Sequence, residues 1–318
     1  MSHTIRSFED LHRAAGTGAS RPLVVAGAES DTALRASEMA AAAGLVTPHL
    51  VGDRDAVRGR LDALGLHTLA ARAVLHETTG SQAATAVALI RDGTGEILMK
   101  GAVRTDELLR AVVSRSAGLR LENGAANASP ALLSDVLLYE HRLDGAVRLV
   151  GVTDGGINVQ PTASALQRII VNGVHVMQAL GVVRPRVALL SATEAVSEAM
   201  PSTRLAQSLQ HAHERGGPGG CAIAGPMALD VALLEDAARA KGIAGDVAGR
   251  VDLMVVPNIE AGNILGKAVK YYYGSVTAHV VVGARVPVLI PSRVEDAVDK
   301  AASIALGVLM AGRPAPPA

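Results

Sequence analysis

The repeated alternation of short β-branched runs with alanine-rich amphipathic stretches constrains the fold of this chain most strongly. The runs lie at 21–27, 49–53, 72–77, 96–101, 147–154, 186–192, 221–225, 252–258, 279–284 and 286–292. Strand followed by helix, repeated this often, predicts an α/β fold with largely parallel sheets flanked by helices on both faces. Ligands in such folds bind at the carboxyl ends of the strands. The polar residues that follow the runs are therefore the first functional candidates: Lys100, Asp154, Ser191, Thr193, Asn258, Glu260, Ser292 and Arg293.

The length of the chain predicts two α/β domains. Its 318 residues exceed the size of about 250–300 residues at which single cores stop growing. We place the junctions so that residues 1–146 and 289–318 form a first domain, with the C-terminal segment returning to it, and residues 147–288 form a second. The stretch EHRLDGAV, at 140–147, marks the first junction. A cleft is expected between the domains.

The composition argues against several classes of partner. Thirty basic residues balance thirty acidic ones, and only five residues are aromatic, so neither a broad basic field nor a base-stacking surface is available for nucleic acid. No run reaches the length of a membrane span, and the N-terminus lacks the apolar region of a signal peptide. The single Cys221 permits no intrachain disulfide and is expected to be a small core residue. We expect a soluble, cytoplasmic protein.

Cofactor motifs are missing from the sequence. The stretch AGAES, at 26–30, lacks the G-x-G-x-x-G pattern of dinucleotide sites, and no P-loop or G-x-S-x-G elbow occurs. Ten scattered histidines and one cysteine do not provide zinc-ligand spacing. His211 and His213 are expected on a helix surface. These motifs therefore give no support for a nucleotide-binding site or a zinc site.

The stretch VTDGGINVQPT, at 152–162, offers polar groups at the end of a strand. Asp154 precedes two glycines that would let a ligand approach the backbone closely, but the same pattern is typical of a turn closed by the aspartate itself. Asn158 is open to the same two interpretations. Thr162 has the chemistry of a helix N-cap.

The stretch KGAVRTDELLRAVV, at 100–113, places Arg104 at a strand-to-helix turn and Arg110 six residues later. Thr105 and the leucines and valines that follow it fit a capped amphipathic helix. A guanidinium suits phosphate recognition, although most exposed arginines are simply solvated. Both arginines are candidates for ligand contact.

The stretch LIPSRVEDAVDK, at 289–300, raises the question of why an arginine stands there. Residues 292–295 spell S-x-x-E, which predicts a capping box with Ser292 as N-cap of the last helix. Arg293 would then lie in the first helical turn, where the helix dipole disfavours a cation unless an anion joins it. Glu295 or Asp296, one turn on, would supply a base beside that anion.

Six blocks of sequence, taken in order, resemble one known family. They are RPLVVAGAES, LMKGAVRTDELLRAVV, VTDGGINVQPT, GPMALD, VDLMVVPNIEAGNILGKAVKYY and VVVGARVPVLIPSR. Over nearly its whole length the chain resembles the phosphate acetyltransferase and phosphate butyryltransferase family, and its last blocks look closer to the butyryltransferase-like members. The resemblance implies a homodimer and reversible acyl transfer between coenzyme A and inorganic phosphate. Coenzyme A would be a substrate, with no metal or redox cofactor.

The resemblance also implies roles for individual residues. By position, Arg293 contacts phosphate and Ser292 stabilises the transition state. The acid that deprotonates the CoA thiol matches Asp296, with Glu295 possible because this segment is shorter than in acetyltransferases. The full substrate-binding set predicted here is Arg104, Thr105, Arg110, Asp154, Asn158, Asn263 and Lys267.

Two other functions remain open from the sequence. One is a decarboxylating dehydrogenase of related architecture that uses NAD(P), with Asp154 and Asp230 binding a metal and a 2-hydroxy acid. The other is a non-catalytic CoA-binding protein that keeps the fold and has lost the base. Phosphate-dependent acyl transfer distinguishes the proposed enzyme from both.

Overall fold

A computed structural model describes residues 4–78, 80–114, 118–120 and 131–313. The strands are β1 (Arg21–Ala26), β2 (Val46–Gly52), β3 (Val74–Glu77), β4 (Ile97–Lys100), β5 (Ser134–Leu143), β6 (Ala146–Thr153), β7 (Arg186–Leu190), β8 (Ala222–Met227), β9 (Leu253–Val255), β10 (Thr277–Val282) and β11 (Val288–Leu289). The helices are α1 (Phe8–Ala15), α2 (Asp31–Ala42), α3 (Arg54–Leu64), α4 (His67–Arg72), α5 (Gln82–Arg91), α6 (Thr105–Val113), α7 (Ala163–Ala179), α8 (Pro201–Glu214), α9 (Leu229–Leu233), α10 (Glu235–Ala240), α11 (Ile259–Tyr271) and α12 (Ala297–Ala311).

The described chain divides into two compact units. The N-terminal unit comprises Phe8–Ala131 and residues 276–313, and the central unit comprises residues 4–7 and Leu132–Ser275. Each of the ten predicted runs contains a strand, which confirms the α/β interpretation. The units divide at 131/132 and 275/276, whereas the predicted domain boundaries lie at 146/147 and 288/289. Those predicted boundaries stay a prediction.

The sheet of the N-terminal unit has the strand order β3-β2-β1-β4-β11-β10. Strands β1 to β4 and β11 run parallel, and β10 is antiparallel to β11. Strand β4 is buried along its whole length and is flanked by β1 and β11. The apolar α12 packs against this sheet and against α1 and α2. The carboxyl ends of β1, β4 and β11 therefore meet at one edge.

The sheet of the central unit has the strand order β5-β6-β9-β7-β8. Strands β6, β9, β7 and β8 are parallel, and β5 pairs antiparallel with β6 as a hairpin. The turn of that hairpin contains Asp144 and Gly145, both with positive φ, which is the conformation that two-residue hairpin turns require. The stretch EHRLDGAV thus contains a hairpin turn inside the central unit, and the domain junction placed there stays a prediction.

No helix among the described residues combines the length and apolar character needed to cross a bilayer. Helix α12 is the most apolar candidate, and it carries Asp299 and Lys300 in its first turn. Both side chains are buried in the N-terminal unit.

Candidate active site

The residues after β11 form a turn and not the start of a helix. The backbone N–H of Glu295 donates to the carbonyl oxygen of Ser292 at 3.3 Å, which closes a four-residue turn. Ser292 and Arg293 are both exposed in this turn. We refer to Ser292–Glu295 as the Ser-Arg turn. It presents a hydroxyl and a guanidinium side by side at the carboxyl edge of the sheet.

The capping box of α12 lies four residues further along than predicted. Asp296 is the N-cap and accepts hydrogen bonds from the backbone N–H groups of Val298 and Asp299 at 2.9 and 3.0 Å. The Asp299 carboxylate accepts from the N–H of Asp296 at 3.3 Å and completes the box. Aspartate caps a helix as well as serine does, so the D-x-x-D pattern prevails over S-x-x-E. The prediction that Ser292 is the N-cap is wrong.

The position of Arg293 needs a different explanation as a result. It lies outside α12, four residues before the first helical residue, so the helix dipole imposes no first-turn penalty on it. Its side chain is exposed and its neighbours in the Ser-Arg turn are Ser292 and Val294. The guanidinium is presented to solvent, where a small anion can reach it.

A buried lysine holds the Ser-Arg turn against α12. The Lys300 ammonium donates to the carbonyl oxygens of Ser292 and Glu295 at 2.9 and 2.6 Å. Only 2% of Lys300 is exposed, and burial lowers its pKa, whereas Glu295 and Asp299 act in the opposite direction. Both ends of the turn are therefore fixed by one side chain. This fixing orients Ser292 and Arg293.

Glu295 is buried, in contrast to the exposed Asp296. His279 on β10 lies within 3.4 Å of one Glu295 oxygen, measured from Nε2 to Oε1. Burial opposes ionisation of Glu295, but the hydrogen bond from His279 and the charges of His279 and Lys300 outweigh it and lower the pKa of this carboxyl. Its other oxygen, Oε2, is buried without a hydrogen-bond partner among the described residues. Of these two acids, Asp296 is thus the one exposed to solvent.

The two arginines of the 100–113 stretch are brought together by one carboxylate. Arg104 Nε donates to Asp106 Oδ1 at 2.9 Å, and Arg110 Nη2 also donates to Asp106. Both arginine side chains are about three-quarters exposed, at 74% and 75%. Arg104 is the N-cap residue of α6 without a capping side chain, and Thr105 is the first helical residue. The expected cap at Thr105 is therefore wrong.

Asp154 organises the loop that follows β6. Its carboxylate accepts N–H donors from Gly156, Ile157 and Asn158 at 2.8–3.3 Å, which makes the aspartate-closed turn that was one of the two interpretations. Burial raises its pKa to about 6, and Asp135 adds to the rise while the N–H donors oppose it. A substrate contact by Asp154 stays a prediction.

Asn158 is engaged in the same loop. Its amide donates to Asp154 Oδ2 at 2.5 Å and to the carbonyl oxygen of Leu133 at 2.9 Å. Thr162 caps α7 by accepting from the N–H of Ala165 at 3.3 Å, which confirms the capping interpretation. A substrate contact by Asn158 also stays a prediction.

Asn263 and Lys267 lie one turn apart on the exposed side of α11. The Asn263 amide donates to the carbonyl oxygen of Gly155 at 3.4 Å. A Cβ at Gly262 would meet the Cα of Gly155 at 2.6 Å, so the loop after β6 rests on the start of α11 backbone against backbone. The two glycines permit that approach.

The carboxylates of the metal-dependent alternative have protein partners. Asp230 pairs with Lys241 at 3.0 Å, and Asp154 is engaged in its own turn. Within the described ranges, no cluster of three or more His, Cys, Asp or Glu side chains is placed to hold a metal ion. Cys221 is buried, as expected, and burial raises the pKa of its thiol.

Three groups near the Ser-Arg turn were not assigned a role from the sequence: His279, Lys300 and Lys100. Lys100 was recognised only as a polar residue at the end of a strand. The signal that marks it is a single lysine closing the otherwise apolar β4. Lys300 and His279 could not be identified from the sequence, because their contacts with the Ser-Arg turn form only when α12 and β10 are folded beside it.

Comparison with known proteins agrees with the resemblance seen in the sequence. A family model described as "Phosphate acetyl/butaryl transferase" matches residues 65–308. A probable phosphate butyryltransferase of Bacillus subtilis is 36% identical over 95% of this chain and 97% of the relative. A phosphate acetyltransferase of Rhizobium meliloti is 37% identical over 96% and 94%.

Solved structures agree in fold. A branched-chain phosphotransacylase from Enterococcus faecalis V583 superposes with a TM-score of 0.77 at 25% identity, over 92% of this chain and 99% of that one. A phosphotransacetylase from Streptococcus pyogenes has the same TM-score at 19% identity, over 96% and 99%, and supports the fold alone. With a family model covering most of the sequence and relatives matched nearly end to end, the chain belongs to the phosphate acetyl/butyryl transferase family.

Proposed function

We propose that this protein is a phosphate acyltransferase that converts a short acyl-CoA and inorganic phosphate into an acyl phosphate and free CoA, and the reverse. The observation that supports this function is the Ser-Arg turn, in which an exposed hydroxyl and an exposed guanidinium are fixed by Lys300 at the carboxyl edge of a parallel sheet. A forked guanidinium suits a phosphate with several oxygens. Family membership supports CoA and acyl phosphate as substrates.

The reaction assigns a role to each member of the turn. In the direction that consumes acyl-CoA, a phosphate oxygen attacks the thioester carbonyl carbon, and the carbon–sulfur bond breaks. Arg293 binds the phosphate, and the Ser292 hydroxyl donates to the oxyanion of the tetrahedral transition state. The proton released from the phosphate hydroxyl is passed to the departing CoA thiolate. In the reverse direction the thiolate attacks and phosphate leaves with that proton.

Asp296 is our choice for the residue that moves this proton. It is exposed beside the Ser-Arg turn, whereas Glu295 is buried and faces His279. A thiolate is the nucleophile that matters in the reverse direction, so a carboxylate near the sulfur assists proton removal there and proton return in the other direction. Glu295 would then fix the turn through its contact with His279.

The remaining assignments belong to the same proposal. CoA and the acyl group would be held by Arg104, Thr105, Arg110, Asp154, Asn158, Asn263 and Lys267, with the active site in the cleft between two domains. The working protein would be a homodimer, which sedimentation analysis can test.

The direct test is phosphate-dependent release of CoA. Acetyl-, propionyl-, butyryl- and larger acyl-CoA thioesters would each be incubated with and without phosphate, and the free thiol titrated. We expect release only with phosphate, and the preferred chain length identifies the acyl group. CoA binding without any phosphate-dependent release from a folded protein would favour the non-catalytic alternative.

A further inference from the structure

Lys100 lies next to the Ser-Arg turn by strand register. It is the last residue of β4, where it pairs with Ala26 of β1. On the other side of β4, Met99 pairs with Leu289 of β11. Lys100 therefore lies beside the point where β11 ends and the chain enters the Ser-Arg turn. All of these residues belong to the N-terminal unit.

Lys100 is almost fully buried as a residue, and its ammonium has no protein partner among the described residues. Only 3% of the residue is exposed, and among the described residues its Nζ makes neither a hydrogen bond nor an ion pair. Burying an unpaired cation is costly, and such groups in proteins are normally paired or bound to a ligand. Lys300 is equally buried but differs from Lys100, because its ammonium donates to two carbonyl oxygens.

The charged groups around Lys100 also favour binding of an anion. The charged groups that act on Lys100 are Lys300 and Arg293, which are cationic, and Glu295, which is anionic. The Glu295 carboxylate is already in contact with His279, and Asp299 and Asp296 act on Lys300 from the start of α12. Lys100 and Arg293 are therefore the cations of this group that have no ion-pair partner among the described residues.

We propose that the Lys100 ammonium contacts a phosphoryl oxygen of the substrate, inorganic phosphate in one direction and acyl phosphate in the other, alongside Arg293. This inference rests on the proposed function. Arg293 reaches the anion from the exposed side of the turn, and Lys100 meets it from the buried end of β4. A phosphate dianion placed between them would offset the cost of burying the lysine.

The contact should depend on pH. Burial lowers the pKa of Lys100 to about 8, with Lys300 and Arg293 adding to the decrease and Glu295 opposing it. A lysine with a lowered pKa destabilises the fold while it is charged, so that cost is full below about pH 8 and fades as pH rises toward the ordinary lysine value. Bound phosphate would favour the charged form, so phosphate should bind less tightly above about pH 8.

The kinetic test is Lys100→Met, which keeps an unbranched side chain one atom shorter than lysine and removes its charge. The matched control is Lys241→Met, because Lys241 is an exposed lysine of the central unit that pairs with Asp230 and Glu194. We expect Lys100→Met to raise the KM for phosphate about tenfold or more at pH 7 while the KM for acyl-CoA changes less than about twofold. The increase should shrink at pH 9. An active wild type and a Lys100→Met variant with the same KM for phosphate would overturn the inference.

A binding test separates this inference from the proposed function. We would measure the thermal midpoint of each protein with inorganic phosphate and with chloride at matched ionic strength. Phosphate should raise the midpoint of wild type and Lys241→Met but not of Lys100→Met, and without phosphate Lys100→Met should be at least as stable as wild type at pH 7. An equal phosphate-induced rise in Lys100→Met would refute the contact, even if no thioester reacts. Lys100→Gln provides the same measurements if the Met variant does not fold.

Discussion

The sequence assigned both the helix cap and the transition-state hydroxyl to Ser292, whereas in the structure Asp296 is the cap. The serine is exposed in a turn, and the aspartate caps α12. The identity of the chemical groups was readable from the sequence, because a hydroxyl, a guanidinium and two acids follow a strand end. Which of them begins the helix was not, because S-x-x-E and D-x-x-D overlap and both satisfy the capping rules.

We therefore expect Ser292→Ala to change activity without changing stability. The hydroxyl caps no helix, so the free energy of unfolding should stay within about 0.5 kcal/mol of wild type. Loss of one donor to the transition state should lower kcat about 100-fold or more. Denaturant unfolding and thiol release would be measured on the same preparation. A loss of about 1 kcal/mol or more with normal turnover would instead restore Ser292 as a structural residue.

The variant Asp296→Asn tests whether Asp296 transfers a proton in addition to capping α12. Asparagine caps helices about as well as aspartate, so α12 should survive with a small loss of stability from the missing charge. The proton acceptor is gone, and kcat should fall about 100-fold or more. Glu295→Gln is the matched control and should have the smaller effect on kcat. If Glu295→Gln lowers kcat more than Asp296→Asn does, the base is Glu295.

At the scale of elements, every predicted strand run was found, and one strand was missed. Strand β5 was absorbed into the expected junction because its neighbour β6 follows after a turn of only two residues. Continuous apolar runs predict these strands well, because burial on both faces of a parallel sheet favours an apolar residue at nearly every position. The sequence pattern therefore identified β6 but not β5 or the hairpin that the two strands form.

The backbone just after β4 lies close to the backbone just after β1, which gives a prediction for Gly101. A Cβ at Gly101 would lie 2.0 Å from the carbonyl oxygen of Gly27 and 3.0 Å from that of Ala26, and both atoms are backbone and cannot rotate away. Gly101→Ala should therefore cost about 1–3 kcal/mol or more and shift Lys100. Gly59→Ala in α3 is the control, because a Cβ at Gly59 would meet nothing within 4 Å. This variant should be more stable than wild type by up to about 1 kcal/mol. Denaturant unfolding that ranks the two variants in the opposite order would contradict the packing described here.

At the scale of the whole molecule, the sequence predicted the fold class and the family, and the physical reason is different for each. The fold class follows from periodicity repeated along the chain, and the family from six blocks in a fixed order. The division of the chain into two units depends on which helices pack against which sheet. Helix α12, at the end of the chain, packs on the sheet that contains β1 and β4, and no local pattern encodes its distant partners.

The last prediction concerns chemistry without a metal. A metal-dependent dehydrogenase would need Asp154 and Asp230 available as ligands. Asp154 already accepts several N–H donors from its own loop, and Asp230 is paired with Lys241. In our proposal the charge required at the site comes instead from Arg293 and Lys100. We therefore expect dialysis against EDTA to leave phosphate-dependent CoA release within about twofold of the untreated rate.

Addition of Mg²⁺ or Mn²⁺ should then give no further increase, and 2-hydroxy acids should give no reduction of NAD(P)⁺. The control is the Arg293→Lys variant, which keeps one charge but loses the fork and should show a higher KM for phosphate. If that variant were unaffected while EDTA abolished turnover and Mg²⁺ restored it, a cation, and not the arginine and lysine side chains, would be neutralising the phosphate.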